Sequence, residues 1–222
     1  MNVATSSSLQ LLEPRMLTQS LQIFTVGHST HSLNSFVNLL KVARISAIAD
    51  VRSTPYSRHQ PHFNREAFRS SLKNSDISYA FLGHELGGRG VGPSVRDQHG
   101  RVRYERIAKT DLFREGLKRL REGSERMSVA VMCTEGEPLS CHRTILVSRY
   151  LAEYGIEITH IHPDGTLEAH RDTEERLLRI TGLHQPEMFR TRGEILKEAY
   201  QRQEERIAYV APRAELQESI PS

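Results

Sequence analysis

The sequence predicts an α/β fold: a mostly parallel sheet with helices on both faces and an extra C-terminal helical segment. Short β-rich runs alternate along the chain with segments whose apolar residues recur at helical spacing, which is typical of βαβ units. The run ISAIADV at 45–51 is small or apolar until Asp50, as expected of a strand covered on both faces. A chain of 222 residues, 37% of them hydrophobic, suits one domain with one core.

The first half of the chain contains three predicted strands and two predicted helices. In order, they are a strand at 22–26, a helix at 35–44, a strand at 45–51, a helix near 64–73 and a strand at 77–82. Apolar residues from Phe36 to Ala43 recur at i, i+3, i+4 and i+7, which places them on one helix face. Ser32 or Asn34 is expected to cap this helix.

An irregular stretch at 83–103 with six glycines comes next, and we expect it to be a mobile loop that covers the site. The elements that follow are a helix around 113–120, a strand at 127–133, a helix around 147–154 ended by Gly155, a strand at 156–161 and a hairpin return at 166–170. A helical segment at 172–207 completes the domain, which we expect to span 21–207. Residues 1–20 are expected to be a disordered leader and residues 208–222 a tail.

Composition excludes several classes of protein. No apolar run approaches 18 residues, so no membrane span is expected. The first twenty residues lack the basic and apolar regions of a signal peptide. Two cysteines do not make a disulfide framework, so both are expected to be reduced thiols in a cytoplasmic protein.

Charge is unevenly distributed along the chain. Residues 52–73 carry five cations and one acid, and residues 89–126 carry eleven cations and six acids. From residue 153 onward, fourteen acids oppose nine bases. Arginine, whose planar fork suits phosphate and carboxylate, outnumbers lysine by 25 to 5. We therefore expect a positive face for an anionic partner, either a small molecule or a nucleic acid.

Polar residues follow the predicted strands, at the edge where ligands bind to open parallel sheets. The candidate catalytic residues are Cys133, Cys141, His142, His28, Glu135 and Asp50, and the candidate substrate-binding residues are Ser29, Arg52, Ser57, Arg58 and Arg143. Other histidines, His31, His99, His170 and His184, are expected at the surface.

The segment from Cys133 to Arg143 carries the most chemistry. A cysteine at a strand end that faces a helix N-terminus, with His142 and Arg143 nearby, is expected to have a lowered pKa and to be nucleophilic. The spacing differs from that of cysteine phosphatases and rhodaneses, in which Arg follows Cys by six residues, because position 139 is Leu139. A small buried core thiol is the alternative for either cysteine.

Five short motifs occur in a specific order: Gly27-His28-Ser29, Asp50-Val51-Arg52 with Pro55 and Ser57-Arg58, Leu86-Gly87-Gly88, Cys133-Thr134-Glu135 and Cys141-His142-Arg143. Together they resemble the bacterial family catalogued as domain of unknown function 488, over about residues 23–162. The resemblance implies an α/β fold with the same strand-end motifs, and it implies no particular activity.

Three functions fit these residues. The first is an enzyme acting on a phosphorylated or nucleotide-like anion, possibly within a nucleic acid, with Cys133 or Cys141 as nucleophile or redox thiol. In it, His28 or His142 carries the proton, Glu135 orients a partner, and Arg52, Arg58 and Arg143 hold the anion. The second is a non-catalytic nucleic-acid-binding module.

The third is a metal site of Cys133, Cys141 and His142 with His28 or His162, although Cys-x7-Cys is not a usual zinc spacing. The sequence alone assigns neither a cofactor nor an oligomeric state.

Overall fold

One six-stranded sheet organises the computed structural model, which describes residues 21–185 and 187–212. Its strands are β1 (Gln22–Gly27), β2 (Ala47–Asp50), β3 (Ser78–Phe81), β4 (Val129–Cys133), β5 (Glu157–Ile161) and β6 (Leu167–Ala169). Their order across the sheet is β3-β2-β4-β1-β5-β6. The first five strands are parallel, and β6 pairs antiparallel with β5. The predicted α/β class and mostly parallel sheet are confirmed, and so is the hairpin.

Eight α-helices connect and cover the strands in the described part of the chain. They are α1 (Leu33–Val42), α2 (Arg65–Lys73), α3 (Gly83–Leu86), α4 (Tyr104–Ala108), α5 (Asp111–Ser124), α6 (Arg149–Glu153), α7 (His170–Ile180) and α8 (Arg192–Ile207). A π-helical turn, Arg143–Ser148, leads directly into α6, and short 3₁₀ turns occupy Pro61–Phe63, Pro93–Val95 and Pro138–Ser140. None of the helices in the described ranges has the length and apolar character needed to cross a membrane.

The helices bury two separate hydrophobic clusters against the two faces of the sheet. Phe36 of α1 and Phe68 of α2 pack on one face with Met132, while Leu117 of α5 packs on the other face with Val131. Successive β4 residues thus point to opposite clusters, as the two-residue period of a strand requires. All five residues of β4 are buried, which accounts for its continuous apolar sequence.

Helix ends agree with the local sequence signals. The hydroxyl of Ser32 accepts a hydrogen bond from the Ser35 N–H at 3.2 Å, so Ser32 is the cap of α1. Gly155 follows the C-cap of α6 with φ of +74°, a conformation that glycine adopts without steric cost.

Residues just beyond the predicted domain end at 207 are packed in the structure. The chain remains packed beyond residue 207: Ala208 and Ala211 are buried, and the Val102 N–H donates to Tyr209 O at 2.9 Å. Residues 208–211 are therefore packed against the domain, although the sequence predicts a tail from residue 208. The predicted leader, 1–20, and residues 213–222 lie outside the described residues.

The predicted loop at 83–103 contains α3 and a 3₁₀ turn, and its mobility stays a prediction.

Candidate active site

The topology of the sheet brings three strand ends together. β4 lies between β2 and β1, so Cys133 at its end is in register with Gly27 of β1. Beyond the strands, the His28 N–H donates to Cys133 O at 3.0 Å, and the Val51 N–H donates to Met132 O at 3.0 Å. The site therefore forms at the carboxyl edge of the parallel strands, where α/β sheets bind ligands.

Four side chains, Cys133, Glu135, Cys141 and His142, form what we call the Cys/His/Glu cluster. Glu135 Oε2 lies 3.1 Å from Cys133 Sγ and 3.0 Å from Cys141 Sγ. His142 Nδ1 lies 3.7 Å and 3.9 Å from the same two sulfur atoms. His142 Nε2 lies 3.1 Å from Val51 O, and because a carbonyl only accepts, Nε2 carries a hydrogen. Nδ1 therefore faces the sulfurs; burial lowers the pKa of His142, but the hydrogen bond with Cys141 and the charges of Cys141 and Glu135 raise it on balance.

The pKa values of the two thiols in the cluster shift in opposite directions. Their mutual hydrogen bond, with burial, raises the pKa of Cys133 well above its ordinary value. Burial also opposes ionisation of Cys141, but the hydrogen bond with Cys133 and the charges of Arg143 and His142 lower the pKa of Cys141 well below its ordinary value. The Arg143 N–H donates to Cys141 Sγ at 3.4 Å, which agrees with a thiolate at this position.

Glu135 is exposed as a residue, but its Oε2 atom is withdrawn against the sulfurs. Desolvation of the carboxyl, followed by the charge of Cys141, raises the pKa of Glu135. The shift favours the protonated form of this carboxyl relative to an exposed glutamate.

A buried ion pair stands beside the cluster. Arg52 Nη2 lies 2.6 Å from Asp50 Oδ2, and Arg52 Nε lies 2.9 Å from Asp50 Oδ1. Arg52 also donates to Phe63 O at 2.8 Å, and the Tyr79 hydroxyl donates to Asp50 Oδ2 at 2.8 Å. Asp50 is fully buried and orients Arg52, and the catalytic role predicted for it stays a prediction.

His28 lies behind Arg52. Its ring stacks on Phe63 at a centroid distance of 4.3 Å, and its Nδ1 lies 3.1 Å from Ser29 O. Burial, with the charge of Arg52, lowers the pKa of His28 to about 4, so the ring is neutral at physiological pH. The predicted proton carrier is thus buried and does not line the cavity at the site.

Arg143, a predicted substrate-binding residue, does not line the cavity at the site. It is fully buried, and its guanidinium donates to the carbonyls of Glu135 and Gly136 and to Thr25 Oγ1. These bonds fix the loop after β4, and they leave the guanidinium behind the loop instead of facing a ligand.

Three further predicted substrate-binding residues lie outside the cavity. Ser29 has φ of +47°, and its N–H donates to Thr134 O at 2.8 Å. Ser57 Oγ accepts hydrogen bonds from two backbone N–H groups of its own loop, and Arg58 is exposed on that loop. Ser29 and Ser57 thus shape loops, and Arg58 is not among the residues that line the cavity.

A cavity of about 280 Å³ opens above the cluster. Of the predicted residues, Arg52, Cys133, Glu135 and His142 line it. The other lining residues are Ser53, Thr54, Gly88, Arg89, Tyr104, Thr134, Ser140, Ile207 and Tyr209. Ser53 and Thr54 follow Arg52 just beyond the end of β2, so the strand-end rule could have identified them, whereas nothing in the sequence indicated that Tyr209 returns to the site.

Arg89 is the exposed cation of this cavity. Its guanidinium carbon lies 4.5 Å from the centre of the Tyr209 ring, and the backbone N–H of Arg89 donates to Ser53 Oγ at 3.2 Å. Stacking uses the flat face of the guanidinium group and holds the side chain at the cavity rim. The N–H groups at the edge of the guanidinium plane are not used by this contact.

Glycines of the sequence motifs permit the close contacts in the site. A Cβ atom on Gly88 would lie 2.7 Å from His142 Cγ, and one on Gly87 would lie 2.5 Å from Ser53 Oγ. A Cβ atom on Gly27 would lie 1.7 Å from Glu135 O. The strand end of β1 and the 87–88 pair therefore require glycine because a backbone or ring packs directly on them.

Comparison with curated proteins and with solved structures finds no match to the chain. A family profile matches residues 32–150, a range that includes Asp50, Arg52, the 87–88 glycine pair and the whole Cys/His/Glu cluster. The chain therefore belongs to the family described as domain of unknown function DUF488.

Proposed function

We propose that this protein is an enzyme acting on a phosphorylated or nucleotide-like anion that binds in the cavity above the Cys/His/Glu cluster. One observation carries the proposal: thiol, imidazole and carboxylate groups form the floor of a cavity whose wall includes two guanidinium groups. Perturbed titratable groups gathered in a cleft are characteristic of active sites.

The cations of the cavity support an anionic substrate. Arg52 is oriented by Asp50, and Arg89 is held by Tyr209, so both forks lose little conformational freedom when they bind phosphate or carboxylate. Hydroxyl groups of Ser53, Thr54, Thr134 and Ser140 supply further hydrogen bonds. The cavity volume is small for a ligand site, which favours a compact anion or a single nucleotide unit.

The cluster supplies the reactive groups. Cys133 and Glu135 line the cavity, and so both are within reach of a bound molecule. Glu135, with its raised pKa, is the proton carrier in this proposal.

The first prediction concerns the Arg89→Gln variant. Its affinity for inorganic phosphate and for adenosine monophosphate should fall by about tenfold or more, because a charge-assisted contact is lost. Isothermal titration calorimetry measures both affinities. Arg69→Gln, at an exposed position of α2 outside the cavity, is the matched control and should bind as the unaltered chain does.

Turnover is measured by phosphorus NMR over a panel of phosphorylated metabolites and nucleotides. Glu135→Gln is expected to abolish the conversion of any compound that the unaltered chain converts. Equal binding by the Arg89 and Arg69 variants would contradict the cavity as the anion site. Salt-sensitive binding of duplex nucleic acid without turnover would instead favour the non-catalytic binding module.

A further inference from the structure

We propose that Cys133, Cys141 and His142 bind one zinc-like transition metal ion, with its fourth coordination position open to the cavity. The part that such an ion plays in turnover rests on the proposed function, whereas its binding does not.

The ligand atoms have the separations that a tetrahedral ion requires. Zinc binds sulfur at about 2.3 Å and imidazole nitrogen at about 2.0–2.1 Å, so its ligand atoms lie roughly 3.5–3.8 Å apart. His142 Nδ1 lies 3.7 Å and 3.9 Å from the two sulfurs, and the three ligand atoms all lie within 4.8 Å of one another. Two thiolates and an imidazole are also the donor types that zinc prefers.

The surroundings of His142 hold its ring in a ligand's orientation. The ring donates through Nε2 to Val51 O at 3.1 Å, which is the second hydrogen bond that metal-bound histidines usually make. The Cβ–Cγ end of the side chain packs on Gly88, where a Cβ atom would lie 2.7 Å from His142 Cγ. Both contacts come from outside the β4 loop, so they fix Nδ1 toward the sulfurs independently of the cysteines.

The two cysteines lie close together in the structure although their spacing in the sequence is unusual for a zinc site. Cys133 ends β4, and the 3₁₀ turn Pro138–Ser140 folds the loop back so that Cys141 returns to it. Neither histidine first considered as a further ligand takes part: His28 stacks on Phe63, and His162 Nε2 bonds to Glu168 at 2.8 Å.

The fourth position faces the substrate cavity. Cys133, His142 and Glu135 all line this cavity, and Glu135 Oε2 lies within hydrogen-bond distance of both sulfurs. Three protein ligands with one open position are the pattern of catalytic rather than structural zinc sites. Glu135 then stands beside the position that water or substrate would take.

Cobalt titration tests the site on the full chain. The reduced protein is treated with a chelator, desalted and titrated with Co²⁺ under argon. We expect one equivalent to produce thiolate-to-cobalt charge transfer in the near ultraviolet and strong visible bands of a four-coordinate ion, both displaced by Zn²⁺. The variants Cys133→Ser and His142→Gln should weaken cobalt binding by more than about 100-fold, because removing a ligand costs more than removing its supporting partner.

His99→Gln, at an exposed histidine outside the cluster, is the matched control and should keep the full spectrum. Alkylation of the unaltered chain gives a readout that does not depend on the folding of a variant: Zn²⁺ should protect both thiols. A titration without charge-transfer bands, or Zn²⁺ that leaves both thiols equally reactive, would overturn the proposal. Oxidation to a Cys133–Cys141 disulfide in a protein that takes up no metal would overturn it in favour of a redox pair.

The Arg89→Gln variant separates this inference from the proposed function. It should keep the cobalt spectrum even where it loses phosphate, because Arg89 belongs to the cavity rim and not to the cluster. Loss of the cobalt spectrum in Arg89→Gln would count against a metal site formed by these three ligands alone.

Discussion

At the scale of the residue, the site separates charged groups that face a ligand from charged groups that build the scaffold. Arg143 and Arg52 are both buried at strand ends, but Arg143 bonds to two loop carbonyls, whereas Arg52 also reaches the cavity. The sequence predicts that these arginines gather at one edge, since each follows a strand. It does not predict which of the two reaches the cavity, because both guanidinium groups bond to carbonyls of loops whose path depends on tertiary packing.

Asp50→Ala is expected to destabilise the fold by about 3–5 kcal/mol, because it leaves the Arg52 guanidinium buried without its counter-charge. Urea unfolding followed by circular dichroism measures the change in the free energy of unfolding. Glu66→Ala is the control: Glu66 pairs with Arg65 at 3.7 Å on the exposed surface of α2, and its loss should change stability by less than about 1 kcal/mol. Equal effects of the two substitutions would show that the buried pair contributes no more than a surface pair.

At the scale of the element, periodicity identified the five parallel strands and the longer helices, and errors lie mostly at their ends. The first helix was predicted at 35–44, but it spans Leu33–Val42 because Ser32 caps it. The short elements are too brief to show a periodic apolar pattern. Helix α3 has four residues, and the π-helical turn Arg143–Ser148 follows a loop and begins at a buried arginine. The Ser148 hydroxyl donates to Arg143 O at 2.8 Å, which gives one carbonyl of this irregular backbone a hydrogen-bond partner.

Ser32→Ala should lower the free energy of unfolding by about 1 kcal/mol, because the Ser35 N–H would lose its acceptor. Chemical denaturation provides the measurement. Asn34→Ala tests the other cap that the sequence allowed; Asn34 lies inside α1, so this change should stay within about 0.5 kcal/mol. A larger loss for Asn34 than for Ser32 would contradict the observed helix start.

At the scale of the whole molecule, a buried hydrogen-bonded chain ties the C-terminal helices to the sheet. Thr25 Oγ1 lies 2.7 Å from His160 Nδ1, His160 Nε2 lies 2.9 Å from His170 Nδ1, and the Tyr200 hydroxyl lies 3.1 Å from His170 Nε2. The sequence prediction of a surface position for His170 was wrong, because α8 packs over α7 and covers it. Local sequence patterns do not indicate which face of a helix a second helix will cover, because that depends on residues distant in the chain.

Acid should destabilise the fold through these histidines. Burial lowers the pKa of His170 to about 4, and burial with the charges of His170 and Arg143 lowers the pKa of His160. Between about pH 6.5 and pH 4 the unfolded chain therefore binds protons that the folded chain does not, so stability falls as pH falls. His170 alone contributes roughly 2 kcal/mol of this loss at pH 5.

Unfolding free energies at pH 7, 6 and 5 measure the effect. His170→Gln should flatten the curve relative to the unaltered chain, since glutamine takes up no proton in either state. Parallel curves for the two proteins would mean that His170 has the same pKa in the folded and unfolded chain, and would contradict the lowered pKa.

Strand β1 lies in the middle of the sheet and hydrogen-bonds to β4 on one side and to β5 on the other. The segment shared with the family, 32–150, begins after this strand and ends before β5. Cutting the chain at those limits would expose the full N–H and C=O edge of β4, a template for association between copies. We therefore expect the shared segment alone to associate rather than to fold as a monomer, whereas residues 21–211 include β1, β5 and the bond from the Ala211 N–H to Gly100 O.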